Sequence, residues 1–316
     1  MRVRLEPPPT YFVHVPKTGG VSLGTVLGVA FRRSECVRLK PPTLAQLAPS
    51  DLERFRFFHA MHQGRSLLEL TGRTDLTCIT MLRDPVERAV SQILYLRRTV
   101  ARIPQTFTAA YLTRVAPIPH GDLDGCVHHD MFAEACDSQI RTLGILEDYT
   151  PLFKGSDRAA GGRSVLRPYE LPPLMDTGDK ARLLENARGW LGGMAAVGIT
   201  ERYAESVLLA CDALGVPAPA GLPRQNVNPR RSDLTASYRS GLAPKVVDRL
   251  EELTWHDRQL YAYAFDLFLE QWARFRARPR RTYSVAPRVR NIVPGVRRVL
   301  RPLRKIARRM SGDTTR

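Results

Sequence analysis

The stretch "TYFVHVPKTGGVSLGTVLG" (residues 10–28) passes from an apolar run into a proline, a lysine and two glycines, and then into a helical pattern. Tyr11 to Val15 is rich in β-formers and buried-looking throughout, so it reads as a strand that Pro16 ends. The helical pattern covers 21–31. A strand that turns through glycine into a helix gathers backbone N–H groups at the helix N-terminus, where the helix dipole adds positive charge. The loop is therefore an anion cradle: Gly19 and Gly20 allow close backbone approach, Lys17 brings a full charge, and Thr18 and Ser22 stand in the same turn. The lysine precedes the glycines, so this is not the G-x-x-x-x-G-K-[ST] loop.

Four more strands are expected, at 37–39, 55–60, 77–82 and 195–199. The runs at 11–15 and 77–82 are continuously apolar rather than alternating, the mark of strands buried on both faces. Helical patterns at 43–54, 85–100, 130–143, 179–192, 201–214, 244–256 and 257–275 alternate with or follow them. This is the layout of an α/β fold, a P-loop-like doubly wound parallel sheet flanked by helices, with a basic C-terminal extension. The chain divides into an α/β domain at 1–273 and an Arg-rich tail at 274–316.

The strand at 77–82 repeats the arrangement of the first. In "TCITMLRDPVERAVSQILYLRR" (77–98) Arg83 stands at the strand's carboxyl end, where parallel sheets bind ligands. Asp84, Pro85 and Glu87 fit the N-cap, N1 and N3 positions of a capping box, which accounts for both acids without catalysis. Ser91 lies on the same helical face as Asp84 and Glu87. Two anion sites on two strands of one sheet suit a nucleotide with two separated anionic groups.

"FVHVPKTGGVSL" together with "LRDPVERAVSQILYL" resembles the paired motifs of sulfotransferases that use 3′-phosphoadenosine 5′-phosphosulfate (PAPS), in particular carbohydrate sulfotransferases of the heparan sulfate 2-O-sulfotransferase type and their bacterial counterparts. Further matches follow in order, at "DSQIRTLG" (137–144), "VGITERYAESVLLACDALG" (197–215), "RQNVNPRR" (224–231) and "DRQLYAYA" (257–264). The resemblance implies that Lys17, Thr18, Gly19, Gly20 and Ser22 hold the 5′-phosphosulfate and that Arg83 and Ser91 hold the 3′-phosphate. It implies transfer of a sulfuryl group to a hydroxyl of a carbohydrate, glycan or glycolipid acceptor, with Lys17 stabilising the leaving oxygen and no metal.

Relatives carry a histidine base after the strand that here reads "FRFFHAMHQG", which offers His59 and His62. The glycine–histidine spacing of relatives is absent, and His59 is preferred as the residue nearer the strand end and so near the ligand edge. His14 reads as a packed, hydrogen-bonded strand residue. In "RQNVNPRR", Arg224, Asn226, Arg230 and Arg231 read as a lid over the nucleotide, with a solvated basic loop as the other reading. "TERY" (200–203) reads as a helix start with Thr200 as cap and Tyr203 turned inward.

The formal charge of +17 is concentrated: from Arg274 onward there are 15 Lys and Arg and a single acid, Asp313, which leaves the rest of the chain near +3. Charge so placed belongs to an appendage and argues against nucleic acid as the partner of the fold. "VRRVLRPLRKIARRM" (296–310) spaces its apolar residues helically, as for a helix lying on an anionic membrane surface; a basic extension without fixed structure is the other reading. Five scattered cysteines without a C-x-x-C pair argue against zinc and against a disulfide scaffold. Cys78 and Cys211 read as core residues, and a Cys126–Cys136 bridge is a minor alternative. A charged, Pro-rich start leading into a strand by residue 11 leaves no room for a signal peptide, and the chain reads as cytoplasmic or peripheral on the membrane's inner face. Two other classes compete with transfer of sulfate: a kinase, which the loop order and the lack of a magnesium-binding carboxylate disfavour, and a tail-driven nucleic-acid binder.

Overall fold

The computed structural model describes residues 6–39, 49–61, 64–102, 136–145, 180–219, 221 and 237–278. Five strands form one sheet: β1 (Thr10–His14), β2 (Cys36–Leu39), β3 (Phe57–Met61), β4 (Thr77–Leu82) and β5 (Ala196–Ile199). Every pairing is parallel and the spatial order is β2-β3-β1-β4-β5. All five residues of β1 and all four of β5 are buried, as their continuous apolar runs require.

The helices are α1 (Gly20–Gly28), α2 (Pro49–Leu52), α3 (Ser66–Thr71), α4 (Pro85–Arg102), α5 (Ser138–Gly144), α6 (Lys180–Gly192), α7 (Tyr203–Ala213), α8 (Pro244–Leu253) and α9 (Trp255–Ala277), with single 3-10 turns at Arg33–Glu35, Thr200–Arg202 and Arg239–Gly241. They cover both faces of the sheet. On one face α1 lies against His14 and His59; on the other, Trp190 of α6 packs its ring 6.2 Å from Tyr11. This is the α/β fold expected from the strand–helix alternation.

β1 is flanked by β3 on one side and β4 on the other, so the chain leaves β1 toward one edge of the sheet and later returns to its opposite side. Such reversals open a crevice at the carboxyl ends of the strands concerned, here β1 and β4. α4, which leaves that crevice, has two faces. Val86, Ala89, Val90, Ile93, Leu96 and Val100 recur at helical spacing and form a second core with Val246 and Leu250 of α8. Another side carries Glu87, which meets Arg83, and Tyr95, which lies under the Lys17 ammonium, with Ser91 between them at helical spacing.

Several expectations shift. α9 continues past the domain boundary placed at 273. Cys136 is a buried free thiol, pushed up to about 12 by burial, and not half of a disulfide; Cys126 lies outside the described residues. Cys211 is buried and Cys78 half-buried, both against the main core. No helix among the described residues is long and apolar enough to cross a membrane.

Candidate anion site at the carboxyl edge

The loop after β1 is tightly built. Lys17 and Gly19 both take left-handed backbone conformations, at φ 70° and 79°, and Gly19 stands at the N-cap of α1. A left-handed glycine is easily accommodated, whereas a left-handed lysine is uncommon and requires support from its surroundings. Thr18 supplies it: its buried hydroxyl donates to the Val15 carbonyl at 2.8 Å, and its own carbonyl accepts from Thr200 Oγ1 at 2.7 Å. The Thr18 hydroxyl is thus committed to the turn, and what Thr18 can offer an anion is its backbone N–H. Ser22 is buried in the first turn of α1, and its N–H donates to the Gly19 carbonyl at 3.0 Å, which leaves the N–H groups of Gly20 and Val21 as the first-turn donors outside the helical ladder.

Gly20 has a purpose other than approach to an anion. A Cβ built there would stand 2.2 Å from the His14 ring, and one at Gly24 would stand 2.5 Å from the His59 ring. Glycines four residues apart form one stripe of α1, so the helix can lie directly over two imidazoles. His59 Nε2 and His14 Nδ1 are 2.7 Å apart, both rings are buried, and Phe12 packs against each. His14 is the packed, hydrogen-bonded residue expected. His59 differs from expectation: it is the middle residue of β3, beneath α1 rather than at the ligand edge, and burial beside Arg38 pushes its proton affinity well below the usual imidazole range. His62, Arg224, Asn226, Arg230 and Arg231 lie outside the described residues.

Lys17 projects into a cationic setting. Its ammonium sits 4.2 Å above the centre of the Tyr95 ring on α4. Its pKa falls to about 8, chiefly through burial and then through Arg98, Arg83 and Arg88. Ser91, one turn before Tyr95, is half-buried on the same face of α4.

Arg83 stands beside this loop. Its Nη1 approaches the Lys17 carbonyl at 3.4 Å, its Nη2 meets Glu87 Oε2 at 3.2 Å, and its buried Nε makes no hydrogen bond among the described residues. The backbone of Arg83 is bracketed by Gln139 of α5, which accepts from its N–H and donates to its carbonyl, each at 3.0 Å. Gln139 and Ile140 in turn donate their N–H groups to Asp257 Oδ1, while Asp137 accepts from the Asp257 N–H. Buried Arg88 lies 3.9 Å from Asp257 on the far side. Segments that look unrelated in the sequence, "DSQI" and "DRQL", therefore meet behind one arginine.

β5 closes the group. Thr200 Oγ1 reaches both the Thr18 carbonyl, at 2.7 Å, and the Leu82 carbonyl, at 2.9 Å, and so ties the β1 loop to the end of β4. Thr200 does not cap a helix as expected, because α7 starts only at Tyr203 after a 3-10 turn. Tyr203 does turn inward, against the core and close to Gly19. Glu201, raised in pKa by burial, accepts from the Asp84 N–H at 3.2 Å and from Tyr261 Oη at 3.0 Å.

Asp84 caps α4 as expected, accepting from the Glu87 N–H at 2.9 Å. Glu87 does not complete the capping box, since the Asp84 N–H is already bonded to Glu201. Sequence reading also missed Arg38 of β2, a largely buried guanidinium whose Nη2 lies 3.9 Å from Met61 Sδ. Its position at a strand's carboxyl end was the available signal. Among the described residues no group of three or more His, Cys, Asp or Glu is arranged to hold a metal.

No family model matches the chain, and no curated protein matches it.

Proposed function

We propose that the chain is a PAPS-dependent sulfotransferase of P-loop-like architecture that sulfates a hydroxyl of a carbohydrate, glycan or glycolipid. The observation that carries the reading is the meeting of two anion-binding devices at one crevice: the Lys17 carbonyl lies 3.4 Å from the Arg83 guanidinium, and the Lys17 ammonium sits 4.2 Å above the Tyr95 ring of α4, the helix that Arg83 precedes. A lysine whose proton affinity is lowered first by burial and then by neighbouring cations regains favourable electrostatics when an anion joins it. A donor with phosphate groups at both ends of a ribose fits this arrangement, with Lys17 and the α1 N-terminus at one end and Arg83 and Ser91 at the other.

The donor supplies the sulfuryl group and a phosphate leaving group. In the transfer the bond from sulfur to the bridging oxygen breaks, a bond from sulfur to the acceptor oxygen forms, and the acceptor's proton leaves to a base. Lys17 and the first-turn N–H groups of α1 stabilise the charge that gathers on the bridging oxygen. Arg83 fixes the far phosphate and so the register of the near one. Among the described residues, Gln139 and Thr200 hold the backbone on which both groups stand. His59, buried and bonded to His14, has a packing role in this reading.

Isothermal titration tests it directly. Adenosine 3′,5′-bisphosphate binds more tightly than ATP–magnesium, and labelled sulfate moves from PAPS to a member of a glycan and glycolipid panel. Lys17→Ala lowers transfer at least about a hundredfold, on the order of 2.7 kcal/mol at the transition state. Preference for ATP–magnesium, or a Lys17→Ala enzyme within about threefold of the parent, overturns the reading.

A further inference from the structure

Glu87 is explained by its sequence position as a capping residue, yet its carboxylate serves other partners. Oε2 takes Arg83 Nη2 at 3.2 Å. Oε1 accepts from Ser237 Oγ at 2.5 Å and from the N–H groups of Tyr238 and Arg239 at 2.6 and 3.2 Å. The side chain is about nine-tenths buried, as is that of Arg83, so these bonds are shielded from water. The segment held by Oε1 comes from far along the chain, and it brings the Tyr238 ring 5.6 Å from the Arg83 guanidinium and the Arg239 guanidinium 3.6 Å from Asp84.

We propose that Glu87 is a positioning residue for Arg83, one that orients the guanidinium for a phosphate and fastens the Ser237–Arg239 segment beside it. The inference rests on the reading of the crevice as a donor site. An arginine side chain free to rotate loses rotamer entropy when it grips a ligand. Glu87 removes that freedom beforehand by holding the Nη2 corner, while the Lys17 carbonyl faces Nη1. A guanidinium carries five N–H donors, and these two contacts occupy one on each Nη, so the fixed fork keeps a second N–H on each for an incoming oxygen. Glu201, the other carboxylate near Nε, is 3.9 Å away, beyond hydrogen-bond reach. One carboxylate thus sets both the fork and the wall next to it.

A double-mutant cycle read by titration with adenosine 3′,5′-bisphosphate tests the role, using the full chain as parent, Glu87→Gln, Arg83→Ala and the pair. Glu87→Gln keeps an oxygen for the Ser237–Arg239 donors and presents an amide to Arg83. It weakens bisphosphate binding at least about tenfold. In the Arg83→Ala background the same change costs less than about twofold, because Glu87 acts through Arg83. Equal losses in both backgrounds mark a purely structural residue and overturn the proposal, as does a Glu87→Gln protein that titrates like the parent. If Glu87→Gln melts below the assay temperature, Glu87→Asp replaces it in the same cycle, since its shorter reach cannot serve both partners. A parent that binds no bisphosphate removes the donor-site reading and this role together, a result distinct from either of those.

Discussion

Lys17 shows how one residue is shaped by parts of the chain that its own neighbourhood does not announce. Its place in a strand–loop–helix turn was legible, because proline, lysine and paired glycines in that order leave few alternatives. Its surroundings were not legible, since Tyr95 of α4 lies under its ammonium and the charges of Arg98 and Arg88 on the same helix act on it. The left-handed backbone at φ 70° stores strain of about 1 kcal/mol or more at the point where a ligand would be met. The lowered pKa gives a pH dependence whose sign is fixed. Below about 8 Lys17 is an ammonium and can stabilise a departing phosphate oxygen; above it the charge is lost. The kcat/KM for the donor, which reports the free enzyme, therefore falls as pH rises through about 8. Lys17→Arg, slower at every pH, lacks that fall because a guanidinium stays charged. A Lys17→Arg profile that still declines through the same range assigns the titration to another group. The histidines teach the opposite lesson: "FHAMH" reads as the end of a strand, but β3 runs to Met61, which places His59 inside it. An imidazole there has to satisfy packing first, and His14 does so.

At the scale of elements, the glycine stripe of α1 decides how closely a helix approaches the sheet. Glycine in a helix interior costs about 1 kcal/mol against alanine, so propensity alone predicts that Gly24→Ala stabilises. Packing predicts the reverse. The new Cβ would lie 2.5 Å from the His59 ring, which cannot retreat between Phe12, 5.1 Å away, and its bond to His14. Gly24→Ala is expected to destabilise by roughly 1–3 kcal/mol, seen as a lower urea midpoint at unchanged slope. Gly28→Ala is the control: its Cβ meets Phe57 at 3.4 Å, and the change is near neutral. Equal midpoints for the two variants would refute the close-packing argument. β1 and β4 were the most legible strands, because continuous apolar runs bounded by Pro, Gly or charge have few other uses. α3 was not legible, since six residues are too few to show a helical period. The break between α8 and α9 falls at Thr254, before Asp257 and not after His256. The Thr254 hydroxyl donates back to the Leu250 carbonyl and caps nothing in α9, so no capping spacing marked the break.

For the molecule as a whole, the carboxyl edge of the sheet gathers what the sequence disperses: loop 15–20, Arg83, Gln139, Thr200 and Asp257 are linked by hydrogen bonds into one support. Order along the chain could suggest this convergence but not its chemistry, because which of two acids caps a helix and which grips an arginine depends on approach angles that no spacing encodes. Charge divides the molecule differently. α9 ends at Ala277, and beyond Arg278 the sequence holds twelve Lys and Arg against one acid, Asp313. A positive segment of this density gains on the order of 1 kcal/mol per basic residue near an anionic leaflet. The catalytic reading needs none of it, since Lys17, Arg83 and their supports all precede residue 278. Truncation after Arg278, which leaves α9 whole, is therefore expected to separate two properties. Co-sedimentation with vesicles containing phosphatidylserine is strong for the full chain at low salt, declines with added salt as screened charges require, and is lost in the 1–278 protein. Affinity for adenosine 3′,5′-bisphosphate is the same in both. Equal sedimentation of the two proteins would refute a membrane role for the tail, and a loss of bisphosphate affinity on truncation would show that the tail belongs to the donor site.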